Sequence, residues 1–357
     1  MTTTVIFTPD WRIGNPYQSL LSKALEHQGL NIKFCNYAEP SLLRLNKTLN
    51  NYKKPDILHL HWTHPYFEHF TWDSGWKFRI KLIFLALDLF LVRLRGIKIV
   101  WTVHNLIAHE TKEPENELAC RRVIANCCHR MIAHSESAKQ LIAKTYKINA
   151  DKISVVPHGN YCSSYKIDES LVREAKQRYE LHDTDTVLLF VGAVRKYKGL
   201  NTLVSAFEKQ EQTKLKLIIA GKPLEQEEYD WLADMASKNA GLSIDLRFIP
   251  DEEIASIVSV ADAVVIPFLK TLTSGSAILA MSFGKALVLP DKASIFDIPG
   301  TQGAVYYDDT NPDGLCDALA NLASYDLQAM GKFNLELSKS LDWDSIAIKI
   351  NQEVYRG

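Results

Sequence analysis

The chain has 357 residues, of which 46% are hydrophobic and 23% charged, and its formal net charge at pH 7 is −1. This composition fits a globular protein of about two domains and excludes collagen-like and low-complexity chains. The balanced charge argues against a dedicated nucleic-acid-binding protein. Basic residues nevertheless outnumber acidic ones over residues 1–165, and the reverse holds over residues 166–357. Such a split suggests two units, the first facing something anionic, although chance also produces such asymmetries.

The sequence predicts a cytoplasmic protein. Its six cysteines contain no CxxC pair and match no zinc or disulfide spacing, which favours a reducing compartment and buried thiols. The amino terminus lacks the basic and apolar regions of a signal peptide. The most apolar run, Leu82–Val92, is shorter than the roughly 20 residues that a helix needs to cross a bilayer.

In the first half, short β-branched runs alternate with longer amphipathic stretches, which predicts strands alternating with helices. The predicted strands are Thr4–Phe7, Ile32–Phe34, Ile57–His61, Ile97–Thr102, Met131–Ala133 and Ile153–Val156. The predicted helices are Pro16–His27, Lys77–Arg95, Glu115–Cys128 and Ser135–Tyr146.

The same alternation returns after the polar stretch Asn160–Thr186. The predicted strands are Val187–Val191, Leu215–Ala220, Ser243–Phe248, Ala263–Ile266, Ala286–Leu289 and Ala304–Tyr306. The predicted helices are Leu200–Lys209, Glu227–Lys238, Glu252–Val260, Ser276–Phe283 and Pro312–Ser324. Alternation of this kind predicts an α/β protein with two Rossmann-like, doubly wound domains facing a cleft, divided into residues 1–165 and 166–340.

Ligands in open α/β sheets lie beyond the carboxyl ends of the strands, so the loops after the strands are the places to search. The first strand is followed by Asp10, Gly14 and Asn15, and Pro16 suits the first position of a helix. A helix that starts there would offer free N–H groups to an anion, unless the segment is a plain connection. The missing GxGxxG pattern argues against a dinucleotide oxidoreductase.

Histidines stand at the ends of the third and fourth predicted strands. His59 and His61 share one side of their strand, but no further ligand has the spacing of a zinc site, so the sequence predicts no metal centre. His61 with Trp62 better suits a surface for a sugar. His104 can titrate near neutral pH and hydrogen-bond a ligand, and the alternative is a purely structural histidine.

The predicted helix 77–95 has basic ends and an almost wholly apolar middle. It fits a helix that docks on an anionic bilayer at the inner face of the cell membrane. It fits equally well a core helix with solvated basic ends, and periodicity cannot separate the two.

The second half carries two motifs suited to phosphate. Arg195 and Lys198 lie in a turn that follows the glycine at the end of a predicted strand and precedes a predicted helix. Two cations beside a helix N-terminus suit a diphosphate. Another connection between a strand and a helix holds Ser274, Gly275 and Ser276, whose hydroxyl and N–H groups can bind phosphate oxygens. The further predicted ligand-binding residues are Gly221 and Lys222, which follow the predicted strand Leu215–Ala220, and Gly14 and Asn15 in the first half.

The segment VGAVRKYKGL, residues 191–200, resembles the strand–loop–helix signature of nucleotide-sugar-dependent glycosyltransferases of the GT-B fold. The block that starts at Ile249 and Pro250 resembles the loop that contacts the base in this superfamily. Residues 279–288, LAMSFGKALV, are similar to its EAMACGKPVI segment. The resemblance extends over nearly the whole chain and is strongest over residues 187–310. It further implies that a final helix, 341–357, returns to the first domain.

One departure from the family pattern is informative. Retaining members of family 4 usually carry two glutamates, one for the donor sugar and one for the ribose, and the corresponding residues here are Thr271 and Leu279. Leucine cannot hydrogen-bond a ribose, so the donor would be held through residues 274–276. In this respect the chain is similar to bacterial exopolysaccharide glycosyltransferases that include β-mannosyl and glucuronosyl transferases, which favours inversion of the anomeric centre.

The resemblance implies that the C-terminal domain binds a GDP- or UDP-sugar and the N-terminal domain binds a lipid-linked or polysaccharide acceptor. The sugar would be of the mannose, glucuronic acid or glucose type. Arg195 and Lys198 would stabilise the departing diphosphate, so neither a metal nor another cofactor would be required. Asp10 is the first candidate for the general base, with His61 and Glu110 as rivals, and His104 resembles the family's contact to the donor sugar.

Two other functions fit the same fold. A nucleotide-sugar epimerase would act on the donor without an acceptor. A non-catalytic nucleotide-sugar-binding protein is the second, because the two family glutamates are missing.

Overall fold

The computed structural model describes residues 2–13, 15–108, 111–211, 213–267, 272–291 and 300–357. The chain divides into two compact units, of which unit 1 comprises Met1–Gly159 with Trp343–Gly357 and unit 2 comprises Asn160–Asp342. The division falls six residues before the predicted boundary at residue 165, because Tyr161 donates its backbone N–H to the Ser282 hydroxyl, 2.9 Å away in unit 2.

Unit 1 contains a parallel sheet of six strands in the order β2-β1-β3-β4-β5-β6. The strands are β1 Thr4–Thr8, β2 Asn31–Phe34, β3 Ile57–Leu60, β4 Lys98–Thr102, β5 Arg130–Ala133 and β6 Ile153–Val155. The helices between them are α1 Pro16–His27, α2 Arg44–Leu49, α3 His64–Thr71, α4 Gly75–Leu94, α5 Pro114–Cys127 and α6 Glu136–Tyr146.

Unit 2 contains a second parallel sheet of six strands, in the order β12-β11-β10-β7-β8-β9. Its strands are β7 Thr186–Val191, β8 Leu215–Ala220, β9 Leu242–Asp245, β10 Ala263–Val265, β11 Ala286–Pro290 and β12 Ala304–Tyr307. Its helices are α7 Glu169–Arg178, α8 Leu200–Glu208, α9 Gln226–Lys238, α10 Asp251–Ser259, α11 Gly275–Ser282, α12 Gly300–Gly303, α13 Gly314–Ala320 and α14 Leu327–Lys339. The last part of the chain, α15 Trp343–Lys349 and a π-helical turn Ile350–Tyr355, belongs to unit 1.

The apolar runs of the strands explain this architecture. The residues of β3 are all buried, as are those of β10 and β11, which is expected of parallel strands covered on both faces. In unit 1, Tyr17 and Leu21 of α1 and Trp343 and Ile350 at the end of the chain join one core cluster. The returning segment therefore completes the core of unit 1.

Among the described residues, five helices lie outside the predicted elements: α2, α3, α7, α12 and α14. Helix α2 has only six residues and depends on a tertiary contact. The buried Asp88 carboxylate of α4 accepts the backbone N–H groups of Leu45, at 2.7 Å, and Asn46, at 3.0 Å. A carboxylate at a helix N-terminus satisfies donors that the helix itself leaves unpaired.

Candidate functional site

Each sheet has one position where the strand order reverses, between β1 and β3 in unit 1 and between β10 and β7 in unit 2. The connections from neighbouring strands diverge there and leave a crevice at the carboxyl ends, which is where open α/β sheets bind ligands. Within each unit, the residues that follow these strands form the candidate site.

In unit 2, the loop after β7 meets the first turn of α11 at Gly192, which has a φ of 130°. A Cβ atom built on this glycine would lie 3.4 Å from Nζ of Lys198 and 3.5 Å from Oγ of Ser276. The Ser276 hydroxyl donates a hydrogen bond to the carbonyl oxygen of Val191, 3.0 Å away. The structure thus brings together a cation and a hydroxyl from two motifs that the sequence placed 78 residues apart.

The loops after β7 and β8 are joined through their backbones. A Cβ atom on Gly221, where φ is 148°, would lie only 2.0 Å from the carbonyl oxygen of Gly192, so no side chain fits at this position. Nη1 of Arg195 donates to the carbonyl oxygens of Val194, at 2.6 Å, and Lys222, at 3.3 Å. Arg195 therefore has a structural contact within the loop, and the Lys222 side chain is exposed. A phosphate contact of either side chain stays a prediction.

Lys198 precedes Gly199, the N-cap of α8. Burial, and to a smaller extent the charge of Arg195, lowers the pKa of the Lys198 ammonium to about 8. Gly199 follows with a φ of 69°, and a Cβ atom there would lie 2.4 Å from the carbonyl oxygen of Pro267. This close approach places the first turn of α8, with its free N–H groups, beside the end of β10.

The residues of the 274–276 motif have different surroundings. The buried Ser274 is the N-cap of α11, and its Oγ accepts the backbone N–H of Ala277 at 3.2 Å. A Cβ atom on Gly275 would lie 3.6 Å from the hydroxyl of Tyr161. Ser276 is thus the member of the motif that lies beside Gly192.

The predicted base loop begins where β9 ends. Ile249 is buried, and Pro250 stands at the N-cap of α10. An ion network holds the start and the end of this loop, because Arg247 pairs with Asp245 through Nε at 2.8 Å and also with Glu253. Arg178 adds a second contact to Glu253 at 3.0 Å. Sequence reasoning missed this network, although the acidic and basic residues flank the motif.

In unit 1, Asp10 lies in the loop after β1, and its carboxylate is held by its neighbour. Nε of Arg12 lies 2.8 Å from Oδ1 of Asp10 and Nη2 of Arg12 lies 2.8 Å from Oδ2. These hydrogen bonds lower the pKa of the Asp10 carboxyl below its ordinary value. The buried Gln18 fixes the loop by donating to the carbonyl oxygen of Pro9 and accepting the N–H of Trp11. The pairing keeps Asp10 ionised and makes it a weaker proton acceptor.

A stack of aromatic rings extends from the surface of unit 1 to its core. Trp11 stacks on Trp62 with ring centroids 4.8 Å apart, and Trp62 stacks on His104 at 4.4 Å. Beneath them, Nδ1 of His61 lies 3.3 Å from Nε2 of His104, and the rings of His61 and His59 stack at 4.4 Å. We define Trp11, Trp62, His104, His61 and His59 as the aromatic stack.

The members of the aromatic stack differ in what they can contact. Burial lowers the pKa of both His61 and His104 well below the ordinary value, so both imidazoles are neutral at physiological pH. His61 is 1% exposed, whereas His104 is partly exposed. His59 is fully buried between the hydroxyls of Tyr355, at 2.7 Å, and Thr102, at 2.8 Å. His104 is therefore the histidine of the stack that a ligand can reach, and His61 can act on a ligand only through His104.

Asn15, Gly14 and Glu110 are the remaining predicted site residues of unit 1. The Asn15 side chain caps α1 by accepting the N–H of Tyr17 at 3.1 Å, so its oxygen has a structural contact. Gly14 and Glu110 lie outside the described residues. Within the part of the chain that the structure describes, one group of side chains could hold a metal ion, namely Asp291, Asp308 and Asp309, whose oxygens lie within 4.8 Å of one another.

Solved structures share the fold of this chain. Sucrose-phosphate synthase from Thermosynechococcus elongatus superposes with a TM-score of 0.75 at 16% identity, covering 100% of this chain and 98% of that one. The Anabaena protein HepE in complex with UDP-glucose superposes with a TM-score of 0.71 at 14% identity, covering 100% of both chains. Likeness at this level of identity shows the fold.

Family models cover most of both units. The model described as "Glycosyltransferase Family 4" matches residues 4–160, and the model described as "Glycosyl transferases group 1" matches residues 185–324. The chain is a glycosyltransferase of the GT-B fold. The fold, the family and the enzyme class predicted from the sequence are therefore confirmed.

Curated relatives of this glycosyltransferase are named for different transfer reactions. GDP-mannose:glycolipid 4-beta-D-mannosyltransferase from Xanthomonas campestris pv. campestris is 26% identical over 82% of this chain and 76% of its own length. D-inositol 3-phosphate glycosyltransferase from Corynebacterium urealyticum is 25% identical over 84% of this chain and 71% of its own length. These relatives support sugar transfer in general and leave donor and acceptor open.

The glycosyltransferase departs from the family pattern at its two glutamate positions. Leu279 is buried on α11 with 8% of its surface exposed, so it contributes to packing. Thr271 lies outside the described residues. On α11, the described polar group beside Gly192 is the Ser276 hydroxyl.

Proposed function

We propose that this glycosyltransferase moves a hexose from a GDP- or UDP-sugar to a hydroxyl of a glycolipid or growing polysaccharide, with inversion and without a required metal. The observation that carries the proposal is the convergence of Lys198 and Ser276 beside Gly192, at the crevice of unit 2. Support for a lipid-linked acceptor comes from the relative named as acting on a glycolipid with GDP-mannose. Support for a nucleotide-sugar donor also comes from the structural neighbour bound to UDP-glucose.

In this proposal unit 2 binds the donor. The ammonium of Lys198 and the first turn of α8 face the diphosphate, and Ser276 donates to a phosphate oxygen after it turns from the Val191 carbonyl. Gly192 leaves room for the diphosphate to approach the backbone, since any side chain there would contact Lys198 and Ser276. Ile249 and Pro250 would lie beside the base.

The acceptor oxygen attacks the anomeric carbon of the sugar, and the bond from that carbon to the diphosphate oxygen breaks. Its electron pair leaves with the diphosphate, so negative charge develops on the leaving group in the transition state. Lys198 would stabilise this charge, and Arg195 would assist from the same loop. Fixed charges that are already in place when the charge develops contribute strongly to catalysis.

The proton of the acceptor hydroxyl needs a base, and Asp10 is our first candidate. Its pairing with Arg12 keeps the carboxylate ionised and oriented, at the cost of a lowered pKa. His104 would contact the sugar through its neutral ring, with His61 as a positioning residue behind it. The candidate Glu110 is tested by mutation alone.

Sugar transfer tests the proposal directly. The purified chain is screened for thermal stabilisation by GDP, UDP and their sugars, because a ligand of the folded state raises the melting temperature. The stabilising donor is then incubated with glycolipid acceptors, with and without a metal chelator. We expect transfer in both conditions, inverted stereochemistry in the product, and a loss of about 10²–10³ in kcat for Lys198→Met.

Several outcomes would contradict parts of the proposal. Conversion of the donor to an epimer without acceptor would identify an epimerase, and donor binding without turnover would identify a binding protein. Loss of transfer with the chelator would establish a required metal. Unchanged kcat in Asp10→Asn, with folding intact, would remove Asp10 as the base, and the same experiment on Glu110→Gln tests its rival.

A further inference from the structure

Unit 1 contains a pocket of about 480 Å³ that is remote from the candidate site. Its lining includes Arg93, Lys98, Arg130 and Lys152. Lys98 and Arg130 are the first residues of β4 and β5, and Lys152 directly precedes β6. The pocket therefore lies at the amino ends of these parallel strands, opposite the edge that carries His61 and His104. We call it the basic pocket.

Backbone carbonyls hold the four cations in place. Nζ of Lys152 donates to the carbonyl oxygens of Ala125 and Asn126, each at 2.7 Å, and Nζ of Lys98 donates to that of Tyr355 at 3.1 Å. Nη1 of Arg130 donates to the carbonyl of Asp151 at 2.8 Å, and Nη1 of Arg93 to that of Cys127 at 3.5 Å. Over the described ranges, no carboxylate forms an ion pair with any of the four.

Burial and, to a smaller extent, the charge of Arg93 lower the pKa of the Lys152 ammonium, as expected where positive charges gather. Burial lowers the pKa of His129, another lining residue, and the charges of Arg93, Lys98 and Lys152 lower it further. The volume falls in the range of small-molecule sites, roughly 300–1,000 Å³. Arginine and lysine together are the side chains that proteins use for phosphate. Geometry, charge and size therefore all favour a phosphate-bearing ligand.

The basic pocket adjoins an unusual helix surface. Helix α4 exposes six large apolar side chains, each by between 39% and 68% of its surface. They are Trp76, Ile80, Ile83, Leu87, Phe90 and Leu94. Trp72, just before the helix, is 74% exposed. At about 100° per residue, the helical positions fall within about 80° of one another. We define Trp72, Trp76, Ile80, Ile83, Leu87, Phe90 and Leu94 as the apolar stripe.

The remaining faces of α4 show why the stripe cannot belong to the core. Leu85, Leu89 and Val92 are fully buried on the opposite face, so the helix already packs against unit 1. Arg79 and Arg93 flank the stripe on one side, and Lys77 and Arg95 flank it on the other. Arg93 also lines the basic pocket, so the pocket borders the stripe near its carboxyl end.

We infer that the basic pocket binds the phosphate of an anionic phospholipid headgroup while the apolar stripe lies in the interface of the same bilayer. An apolar helix face flanked by cations is suited to lie in the plane of an anionic membrane. Among the described helices, none has both the length and the hydropathy of a membrane span. The choice of a lipid as the source of the phosphate rests on the proposed function, in which the acceptor is lipid-linked.

Vesicle binding of the full chain tests the inference. We expect binding to vesicles of phosphatidylcholine mixed with phosphatidylglycerol and much weaker binding to phosphatidylcholine alone. Each cation near an anionic surface contributes about fivefold, so Arg93→Gln with Lys98→Gln should weaken vesicle binding about 25-fold. Ile83→Gln with Phe90→Gln should weaken it at least about tenfold, because less apolar surface is buried.

Matched controls separate the pocket from general charge. Lys23→Gln with Lys33→Gln removes two exposed lysines from α1 and β2. Leu141→Gln with Ile167→Gln removes two exposed apolar side chains. We expect both controls to bind vesicles within about twofold of the parent. Thermal unfolding of every variant confirms that it folds, and Arg130→Gln with Lys152→Gln is the second pocket variant should the first fail to fold.

Two results would overturn the inference. Equal weakening by the pocket variant and by the lysine control would mean that diffuse charge, and no pocket, attracts the vesicles. Saturable binding of inorganic phosphate in calorimetry, lost in the pocket variant but without binding to either kind of vesicle, would assign the pocket to a soluble phosphate ester. Nucleotide binding and sugar transfer are measured on the same samples. A chain that binds vesicles through the basic pocket but transfers no sugar would contradict the proposed function and leave the membrane inference standing.

Discussion

The hydroxyl of Ser276 donates a hydrogen bond to the carbonyl oxygen of Val191 across 3.0 Å, which joins the first turn of α11 to the end of β7. These two elements stand on either side of the switch point in the sheet of unit 2. The bond keeps the hydroxyl beside Gly192 and Lys198, where a diphosphate would need a donor. Its position therefore suits a ligand contact more than a contribution to the core.

Ser276→Ala should weaken the binding of GDP or UDP about tenfold, because a hydrogen bond to a charged phosphate oxygen is lost. It should change the melting temperature little. Ser274→Ala is the matched control, since it removes the N-cap of α11, costs about 1 kcal/mol of unfolding free energy and lowers the melting temperature by about 2–4 °C. Calorimetry and thermal unfolding distinguish the two, and the reverse pattern would make Ser276 a structural residue.

Lys198 should give nucleotide binding a pH dependence on the alkaline side. Burial, with the charge of Arg195, lowers the pKa of its ammonium to about 8, so the free enzyme loses this positive charge as the pH rises through that value. Affinity for a nucleoside diphosphate is thus expected to be highest below pH 8 and to decrease above it. The bound diphosphate favours the charged amine, so binding above pH 8 should take up a proton.

Lys198→Arg tests this assignment, because a guanidinium stays protonated throughout the accessible range. The variant should bind the nucleotide with an affinity that no longer falls between about pH 7 and 10. Titration calorimetry in buffers of different ionisation enthalpy measures the proton uptake. A parent enzyme whose affinity is constant over the same range would show that Lys198 does not face the diphosphate.

Gly221→Ala should destabilise unit 2 by about 3 kcal/mol or more, since the new Cβ atom would overlap the Gly192 carbonyl in a strained backbone conformation. Gly284→Ala is the control, because Gly284 also has a positive φ, 64°, but its Cβ position meets only atoms 3.5 Å away or farther. That change should cost about 1–2 kcal/mol. Denaturant unfolding measures both, and equal costs would show that the loops can move apart.

Much of the fold was predictable because parallel strands buried on both faces form short apolar runs. Every strand of the two sheets overlaps a predicted one, and α1 has the predicted bounds, Pro16–His27. The short helices were not predictable in the same way. Helix α2 is held by Asp88, a residue distant in sequence whose partners only the fold reveals.

The candidate site was predictable to a similar extent. The rule for strand ends led to Lys198, Ser276 and His104, since position relative to a strand is visible in the sequence. Contacts between side chain and backbone were less visible. An asparagine directly before Pro16 is a typical N-cap, so the capping by Asn15 could have been predicted. The hydrogen bonds from Arg195 to the loop carbonyls follow from no sequence pattern.

Buried histidines also carry a consequence for stability in acid. The ring of Tyr17 contacts those of His61, His104, His134 and His158, all of them in the core of unit 1 or at its edge. Burial lowers the pKa of His134 to about 4, and burial with the neighbouring His134 charge lowers that of His158 to about 3. The same desolvation lowers the pKa of His59 to about 3.

Unit 1 should therefore lose stability as the pH falls below about 6.5, where the unfolded chain takes up protons that the folded chain excludes. Above that value, these imidazoles are neutral in both states and contribute no pH dependence. At about pH 5, each of these buried imidazoles lowers the unfolding free energy by roughly 2 kcal/mol. The unfolding free energy keeps falling until the pH reaches the pKa values of the folded state, near 3 to 4. The difference in unfolding free energy between about pH 7.5 and 5 should therefore be smaller in His134→Gln by the contribution of one imidazole. His182 is exposed in unit 2, so His182→Gln should leave this difference unchanged. Urea unfolding at both pH values provides the measurement, and an unchanged difference in His134→Gln would show that protons reach the buried ring without unfolding.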